Sequence, residues 1–269
     1  MELYKYMGHE GFISNFKLRF TPPSELNDPR ECFPEIHIKD PRGYIDNLIQ
    51  RNFESGYLRL LIENPLMSPR EALHRCLNAS EGVAQDFNYN NEEWIKRIFD
   101  NVMKVTNRNI AVLSLTEVPD NELMWAHYAN SHQGYVVGFD ADNDFFKPRK
   151  GDPKKCGLLM PVEYSDSCPQ LFVEPGKIDI PIELFFTKTT KWSYEQEWRM
   201  LRMQLSADDI LSNNIHLFKV PETAITSIIF GCKFPEPKRK LLETSVLAMA
   251  PHVTFQYASF NYKGEFIIS

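Results

Sequence analysis

The chain has 269 residues, 43% of them hydrophobic, and a formal net charge of −6. This length is sufficient for a substantial core, and the acidic balance argues against a general nucleic-acid-coating surface while leaving room for a local basic groove. The five cysteines lie far apart without a CxxC pair, which is typical of reduced thiols rather than of a disulfide framework or a zinc site. No apolar run approaches the ~20 residues that span a bilayer and no leader pattern opens the chain, so we expect a cytoplasmic protein without membrane association.

Two short alternating segments at residues 2–6 and 17–21 predict the first strands. The prolines of the following loop, TPPSELNDPRE, force it into an irregular course. This loop carries the polar residues Asn27, Asp28 and Glu31. Asn27 and Asp28 either cap backbone amides of the turn or belong to a binding site. The pattern favours the turn role.

From about residue 41 to about residue 106, apolar residues recur at helical spacing. Ser68, Pro69 and Glu71 form a helix start, with Ser68 as the N-cap. We predict roughly three or four helices inserted between strands. We expect them to cover the core, to close over a substrate or to contact a partner.

Strands dominate the rest of the chain. We predict a helix at residues 121–130 with Asp120 as its N-cap, a polar, mobile loop at residues 142–153, and a short helix starting at Ser206. We also predict a connection at residues 168–179, a helix at 235–249, and strands at 109–116, 134–140, 158–164, 183–187, 196–203, 215–220, 225–231, 253–259 and 266–269. Strands at both ends and helices in one block indicate the α+β class, with a mixed, mostly antiparallel sheet as the core. We interpret residues 1–269 as a single domain with a helical insertion at about residues 41–106.

The segment KTTKWSYEQEWR, residues 188–199, concentrates charge and aromatic rings. Glu195 and Glu197 are two residues apart, and in an extended strand that spacing places both carboxylates on one face. Cations and rings surround them: Lys188, Lys191, Trp192, Tyr194, Trp198 and Arg199. Such a segment suits the wall of a site, with rings for stacking and acids and bases for chemistry, or an edge strand whose acids pair with nearby Lys and Arg.

The segment MWAHYANSHQG, residues 124–134, is the second candidate. His127 is suited to acid–base chemistry or to a sugar hydroxyl, and Trp125 and Tyr128 are suited to stacking on a ring. The alternative is a core helix whose rings pack and whose His127 binds a backbone carbonyl; for His132 we favour this structural role. The chain contains no HExxH, GxxxxGK[ST], GxGxxG or GxSxG motif, which argues against zinc proteases, P-loop enzymes, Rossmann enzymes and ordinary serine hydrolases.

Four motifs follow one another along the chain: LYKY at residues 3–6, LRFTPPSELNDPRE at 18–31, LSLTEVPDNELMWAHYANSHQGYVVGFD at 113–140 and KTTKWSYEQEWR at 188–199. In this order they resemble a widespread prokaryotic family of domains of unknown function. Members of that family often lie in mobile-element or phage-defence neighbourhoods. The resemblance therefore implies an antiphage-defence effector or toxin, with a partner protein encoded in the same operon.

More loosely, the chain resembles the ADP-ribosyltransferase superfamily, with its small mixed sheet and late glutamate on a strand. This resemblance implies a transferase or NAD glycohydrolase that uses NAD or another nucleotide as substrate, acts on a protein or nucleic-acid acceptor and requires no metal. Glu197 would be the late carboxylate and Glu195 would orient the acceptor. Tyr128 or Tyr194 would stack on nicotinamide, and the ribose or phosphates would be held by His127, Lys5 or Lys188.

Other substrate contacts are expected from Tyr4, Tyr6, Asn27, Asp28, Trp125, Trp192 and Arg199. Two features depart from the superfamily pattern. The first strand offers Tyr4, Lys5 and Tyr6 rather than the usual His or Arg. Thr189 and Thr190 also lie closer to the glutamates than a separate strand motif allows.

Two alternatives stand beside this hypothesis. The first is a metal-dependent phosphodiesterase or nuclease, in which Lys188 stabilises a leaving oxyanion and Mg²⁺ is bound by Asp28, Glu31, Glu195 and Glu197. The second is a non-enzymatic sensor whose aromatic pocket holds a nucleotide or a peptide. A Glu197 that is locked to Arg199 or Lys191 favours binding or structure, whereas a Glu197 in an open cleft beside Tyr128 favours chemistry.

Overall fold

The computed structural model describes residues 1–85, 92–148, 157–211 and 215–269. Within these ranges the α-helices are α1 (Gly11–Asn15), α2 (Pro41–Glu63), α3 (Pro69–Gln85), α4 (Glu92–Asn109), α5 (Glu122–Tyr128), α6 (Glu183–Phe186) and α7 (Glu236–Met249). The strands are β1 (Glu2–Met7), β2 (Lys17–Arg19), β3 (Glu35–Ile38), β4 (Ile110–Thr116), β5 (Tyr135–Asp140), β6 (Leu159–Pro161), β7 (Glu163–Tyr164), β8 (Gln170–Glu174), β9 (Lys177–Asp179), β10 (Thr187–Lys188), β11 (Glu197–Met203), β12 (Asp209–Leu211), β13 (Ile215–Lys219), β14 (Ile225–Phe230), β15 (Thr254–Phe260) and β16 (Phe266–Ile268).

The largest sheet has eight strands in the order β16-β15-β14-β5-β1-β4-β11-β6. Its neighbouring strands are antiparallel except for β14 and β15, which are parallel. Both faces of the sheet are covered: Val136 and Val137, successive residues of β5, belong to different apolar clusters because side chains alternate along a strand. The predicted α+β class with a mixed, mostly antiparallel sheet is confirmed.

The chain forms two compact units. The first comprises Met1–Cys32, Val105–Ser167 and Phe185–Ser269, and it contains the eight-stranded sheet. The second comprises Phe33–Lys104 and Cys168–Leu184. It holds α2, α3, most of α4 and a small sheet of order β3-β8-β9, with an apolar cluster around Leu171 and Val173.

Two neighbouring strands of the large sheet separate from each other. β1 pairs with β5 from Glu2 to Met7, but it pairs with β4 at a single position, Tyr4 opposite Thr116. Farther along the β1 side of β4, the Val112 backbone instead exchanges two hydrogen bonds of 2.8 Å with Thr21. The chain after β2 therefore occupies the edge that β1 has left, and a gap opens between β1 and β4.

Several local predictions require correction. Residues 183–187, predicted as a strand, form α6 and then β10, because a helical turn buries the successive side chains of Leu184, Phe185 and Phe186. Ser206 ends a short 3₁₀ helix, Gln204–Ser206, and strand β12 follows it instead of a helix. The predicted connection at 168–179 contains β8 and β9, and residues 149–153 of the predicted mobile loop lie outside the described residues.

Candidate functional site

A cavity of about 240 Å³ lies in the first unit where β1 and β4 separate. Aromatic rings, hydroxyl groups and buried charges line it together. The lining residues are Tyr4, Lys5 and Tyr6 of β1, Thr21, Glu25, Leu26, Asn27 and Glu31 of the loop after β2, Ser114, Leu115 and Thr116 of β4, Met124 and Tyr128 of α5, and Lys188, Glu195, Glu197 and Arg199.

The ammonium group of Lys188 lies among three carboxylates. Its Nζ is 2.6 Å from Glu195 Oε2, 3.0 Å from Glu197 Oε2 and 3.4 Å from Glu31 Oε1. The side chains of all four residues are at most 5% exposed. Because buried charges require partners, this arrangement specifies the position of each carboxylate.

Arg199 binds two of the same carboxylates, those of Glu197 and Glu31. Its Nε donates to Glu197 Oε1 at 2.7 Å and its Nη2 donates to Glu197 Oε2 at 3.0 Å, so the contact is bidentate. Nη2 also pairs with Glu31, and Nη1 donates to the carbonyl of Phe185 at 2.8 Å. Glu197 is therefore locked in place, with both oxygens bound.

These contacts set the protonation of the cluster. Burial by itself would raise the pKa of Glu197, but the charges of Arg199 and Lys188 lower it to about 2. For Glu31, burial outweighs the same two cations and its pKa is raised. Burial would lower the pKa of Lys188, yet the three surrounding glutamates raise it. Glu197 and Lys188 are thus ionised at neutral pH.

Glu195 differs from Glu197 in its partners. Its Oε2 accepts from Lys188, and its Oε1 accepts from the hydroxyl of Tyr128 at 2.6 Å. Burial, followed by this hydrogen bond, raises the pKa of Tyr128, so its phenol remains protonated and acts as the donor. Each carboxylate oxygen has two lone pairs, so Glu195 retains capacity for a ligand at the cavity wall.

The backbone between the two glutamates explains how they converge. Glu195 is the last residue of a 3₁₀ helix, Thr190–Glu195, and Glu197 is the first of β11. Gln196 lies between them in a left-handed conformation, with φ of 42°. The two glutamates therefore do not share one extended strand, the arrangement in which their spacing would align the carboxylates, although both carboxylates do reach Lys188.

The loop after β2 is built around Asp28, which is 7% exposed. Its Oδ1 accepts from the backbone N–H of Arg30 at 3.0 Å, and its Oδ2 accepts from the hydroxyl of Thr189 at 2.9 Å. Asp28 thus performs the turn role and ties the loop to the segment that carries Lys188. The neighbouring Asn27 lines the cavity and hydrogen-bonds to Tyr128.

Four other predicted site residues do not line this cavity. Trp125 is fully buried, donates from Nε1 to the carbonyl of Pro119 at 2.8 Å and packs in the core. His127 is exposed. Trp192 and Tyr194 are half-buried, and the ring centroid of Trp192 is 4.8 Å from Lys188 Nζ.

Three residues of the site were not predicted from the sequence as substrate contacts: Glu31, Tyr164 and Ser114. Glu31 was expected only as a magnesium ligand, yet it joins the buried cluster three positions after Asp28. Tyr164 accepts a hydrogen bond from the backbone N–H of Glu197 at 2.8 Å, and the Ser114 side chain hydrogen-bonds to Glu197. Glu31 shares the polar loop with Asn27, which is a usable signal, whereas Tyr164 and Ser114 carry no local motif.

Three of the four carboxylates named in the magnesium hypothesis, Glu31, Glu195 and Glu197, form ion pairs with Lys188. Lys188 Nζ occupies the position between Glu31, Glu195 and Glu197 at which a cation would be bound. Among the described residues, no group of three or more His, Cys, Asp or Glu side chains is arranged to hold a metal ion. The acidic groups of this site are thus neutralised by the protein's own cations.

The fold and site define an α+β protein with a polar cavity at a gap in its main sheet. Residues 124–200 match the model of a family described as "Protein of unknown function (DUF2971)". This range includes Tyr128, Lys188, Glu195, Glu197 and Arg199, whereas the β1 side of the cavity lies before it. A search of curated proteins found no match, and a search of solved structures found none either. In the described part of the chain, every helix is too short or too polar to cross a membrane.

Proposed function

We propose that the cavity binds the nicotinamide–ribose part of NAD, or the corresponding part of a related nucleotide. We propose further that the protein cleaves the glycosidic bond that joins the nicotinamide ring to the ribose. The observation that carries this proposal is the position of Glu195. Its carboxylate lies on the cavity wall, hydrogen-bonded to Lys188 and Tyr128, in a cavity that Tyr4 and Tyr6 also line.

The chemistry requires few groups. Breaking the glycosidic bond develops positive charge on the ribose, and a fixed carboxylate stabilises that charge. Aromatic side chains supply stacking surfaces for the ring that leaves. A volume of about 240 Å³ lies below the roughly 300–1,000 Å³ of sites that enclose a whole drug-sized ligand, so it suits one ring and its sugar.

The two glutamates have different roles in this proposal. Glu197 is held by Arg199 and Lys188, and its low pKa keeps it ionised, so it acts as a positioning residue for Lys188. Lys188 in turn fixes Glu195. Glu195 is the carboxylate that we assign to contact with the substrate.

The wider role rests on resemblance. We propose that the protein is a cytoplasmic antiphage-defence effector or toxin of the ADP-ribosyltransferase type. It transfers ADP-ribose to a protein or nucleic-acid acceptor, or to water, and a partner protein from the same operon controls it. The family match over residues 124–200 supports the uncharacterised family without naming an activity.

The test measures the release of nicotinamide from NAD, with the product quantified by chromatography. Glu195→Gln preserves the shape of the side chain and removes its charge, so we expect a rate loss of at least about 100-fold, the size seen when a charge-stabilising group is removed. Glu163→Gln, at an exposed position outside the cavity, is the matched control and should release nicotinamide at the wild-type rate. The proposal is falsified if wild-type protein neither binds NAD nor releases nicotinamide.

A second candidate is a non-enzymatic sensor, favoured by the locked state of Glu197. In that case NAD or another nucleotide would raise the unfolding temperature without being consumed. Unchanged NAD in the presence of a thermal shift would therefore select the sensor over the enzyme.

A further inference from the structure

Lys5 is the cation of the cavity that has no carboxylate partner among the described residues. Each of the four carboxylates in the lining already forms an ion pair with another cation. Glu25 pairs with Arg19, and the other three pair with Lys188 or Arg199. The amine of Lys5 instead donates to a backbone carbonyl, that of Ser114, at 2.9 Å.

The position of this hydrogen bond follows from the sheet. Ser114 belongs to β4, and its carbonyl lies beyond the single bridge that joins β1 to β4. The side chain of Lys5 therefore reaches β4 at the gap between the separating strands, and Lys5 is one of the residues that line the cavity. A backbone carbonyl carries only a partial charge, so it stabilises an ammonium ion less than a carboxylate does.

The electrostatics of Lys5 agree with this geometry. Burial lowers its pKa to about 8, and the opposing effect of Glu197 is smaller. An amine with this pKa is about half neutral at pH 8, and the neutral form is the nucleophile. Lys188, in the same cavity, has a raised pKa and remains an ammonium ion.

The groups beside Lys5 suit a ligand with many hydroxyls. Glu195 offers carboxylate acceptor sites, Thr21 contributes a hydroxyl group, and Asn27 contributes an amide. A sugar presents donors and acceptors of this kind around a small frame. A ribose that opens also presents an aldehyde, which is the usual electrophile for a lysine amine.

We propose that Lys5 is an amine nucleophile that condenses with the aldehyde of a ring-opened ribose, such as that of free ADP-ribose. The Nζ lone pair attacks the aldehyde carbon, and the carbonyl oxygen takes up a proton to give a carbinolamine. Loss of that hydroxyl as water leaves an imine, so one amine and one aldehyde yield one imine and one water. The choice of ligand rests on the proposed function, because ADP-ribose is what NAD cleavage by water releases.

The experiment incubates the folded full-length protein with ADP-ribose and sodium cyanoborohydride, which reduces an imine to a stable secondary amine. Peptide mass spectrometry then locates the adducts. We expect Lys5 to be labelled at least about tenfold faster than Lys191, because Lys191 is exposed outside the cavity and gains nothing from a ligand held beside it. The Lys5 rate should rise with pH around a midpoint near 8, and Lys188 should stay unlabelled.

Lys5→Arg keeps the charge but cannot form the imine, so its other lysines should be labelled as in wild type. If that variant does not fold, the comparison of Lys5 with Lys191 within the wild-type protein still decides the question.

Glycolaldehyde, a small aldehyde without a nucleotide, is the second probe. If glycolaldehyde labels Lys5 selectively and ADP-ribose does not, the assignment of ADP-ribose as the ligand is overturned, while the assignment of Lys5 as an amine nucleophile stands. Equal labelling of Lys5 and Lys191 by both probes would overturn the inference, whereas nicotinamide release is measured independently and reports on the proposed function.

Discussion

Glu197 is a buried carboxylate between two cations, so folding changes its affinity for protons. Its folded pKa of about 2 lies below its ordinary value of 4.5. A carboxyl group whose pKa is depressed by folding contributes stability above the unfolded pKa, and this contribution is lost as the pH falls through the folded pKa. The window for Glu197 therefore runs from about pH 4.5 down to about pH 2.

From this sign we predict the behaviour of Glu197→Gln. Above pH 4.5 the variant should be less stable than wild type by about 3 kcal/mol, the free energy that corresponds to this pKa shift. The difference should shrink as the pH is lowered through the window, because wild type also becomes neutral there. Urea unfolding of both proteins at a series of pH values measures it.

Glu31→Gln is the matched control, since Glu31 contacts the same two cations but has a raised pKa. Folding does not favour its ionised form, so the acid-range loss of stability should be absent for this residue. If Glu197→Gln retained wild-type stability at neutral pH, the charged network would not contribute to folding as described.

Residue types could be predicted at this scale, but their grouping could not. The charged segment 188–199 indicated Lys188, Glu195 and Arg199, and the structure does bring their side chains to one cavity. Sequence alone could not show that Glu31 joins them from a distant loop, since ion pairs across 157 to 168 positions depend on the tertiary fold. Trp125 was expected to contact the substrate, but it packs in the core. Sequence alone could not distinguish the two roles, because a ring suited to stacking on a ligand is equally suited to a core.

At the scale of elements, α5 positions Tyr128 and so supports Glu195. Its N-cap is Asn121, whose Oδ1 accepts from the backbone N–H groups of Leu123 at 3.0 Å and Met124 at 3.2 Å. The sequence predicted Asp120 for this role, which is wrong by one position. Asn and Asp are both good N-caps, so composition could not separate two adjacent candidates.

The two candidates make a matched pair for mutagenesis. We predict that Asn121→Ala lowers the free energy of unfolding by about 1 kcal/mol, because two N–H groups at the start of the helix lose their acceptor. Asp120→Ala, at the exposed neighbouring position, should change it by less than about 0.5 kcal/mol. Equal losses in denaturant unfolding would contradict the assignment of the cap.

Local sequence signals differ in how well they predict helices, strands and turns. The helix start at Ser68 is confirmed, since its Oγ accepts from the backbone N–H of Glu71 at 3.2 Å. The strand expected at 183–187 is instead α6, since a short apolar run fits either structure. The turn at Gln196 was not predicted, because a left-handed glutamine leaves no signature in the sequence.

At the scale of the whole molecule, the chain divides into two compact units, and the cavity lies in one of them. All residues that line the cavity belong to the first unit. The helices α2 and α3 belong to the second. The fold class could be predicted from the order of strands and helices, whereas the separation of β1 from β4 depends on backbone pairing that no sequence pattern records.

The location of the cavity in the first unit leads to a prediction about ligand binding. With NAD at about 100 times its dissociation constant, the bound state should gain about 2.7 kcal/mol of stability. Amide hydrogen exchange should then slow in β1, β4 and the segment Lys188–Arg199, because these segments line the cavity. Exchange in α2 and α3 should stay at the rate of the free protein, which makes the second unit an internal control. Protection confined to α2 and α3 would place the ligand elsewhere, and protection of the cavity segments that persists in Glu195→Gln would separate binding from catalysis.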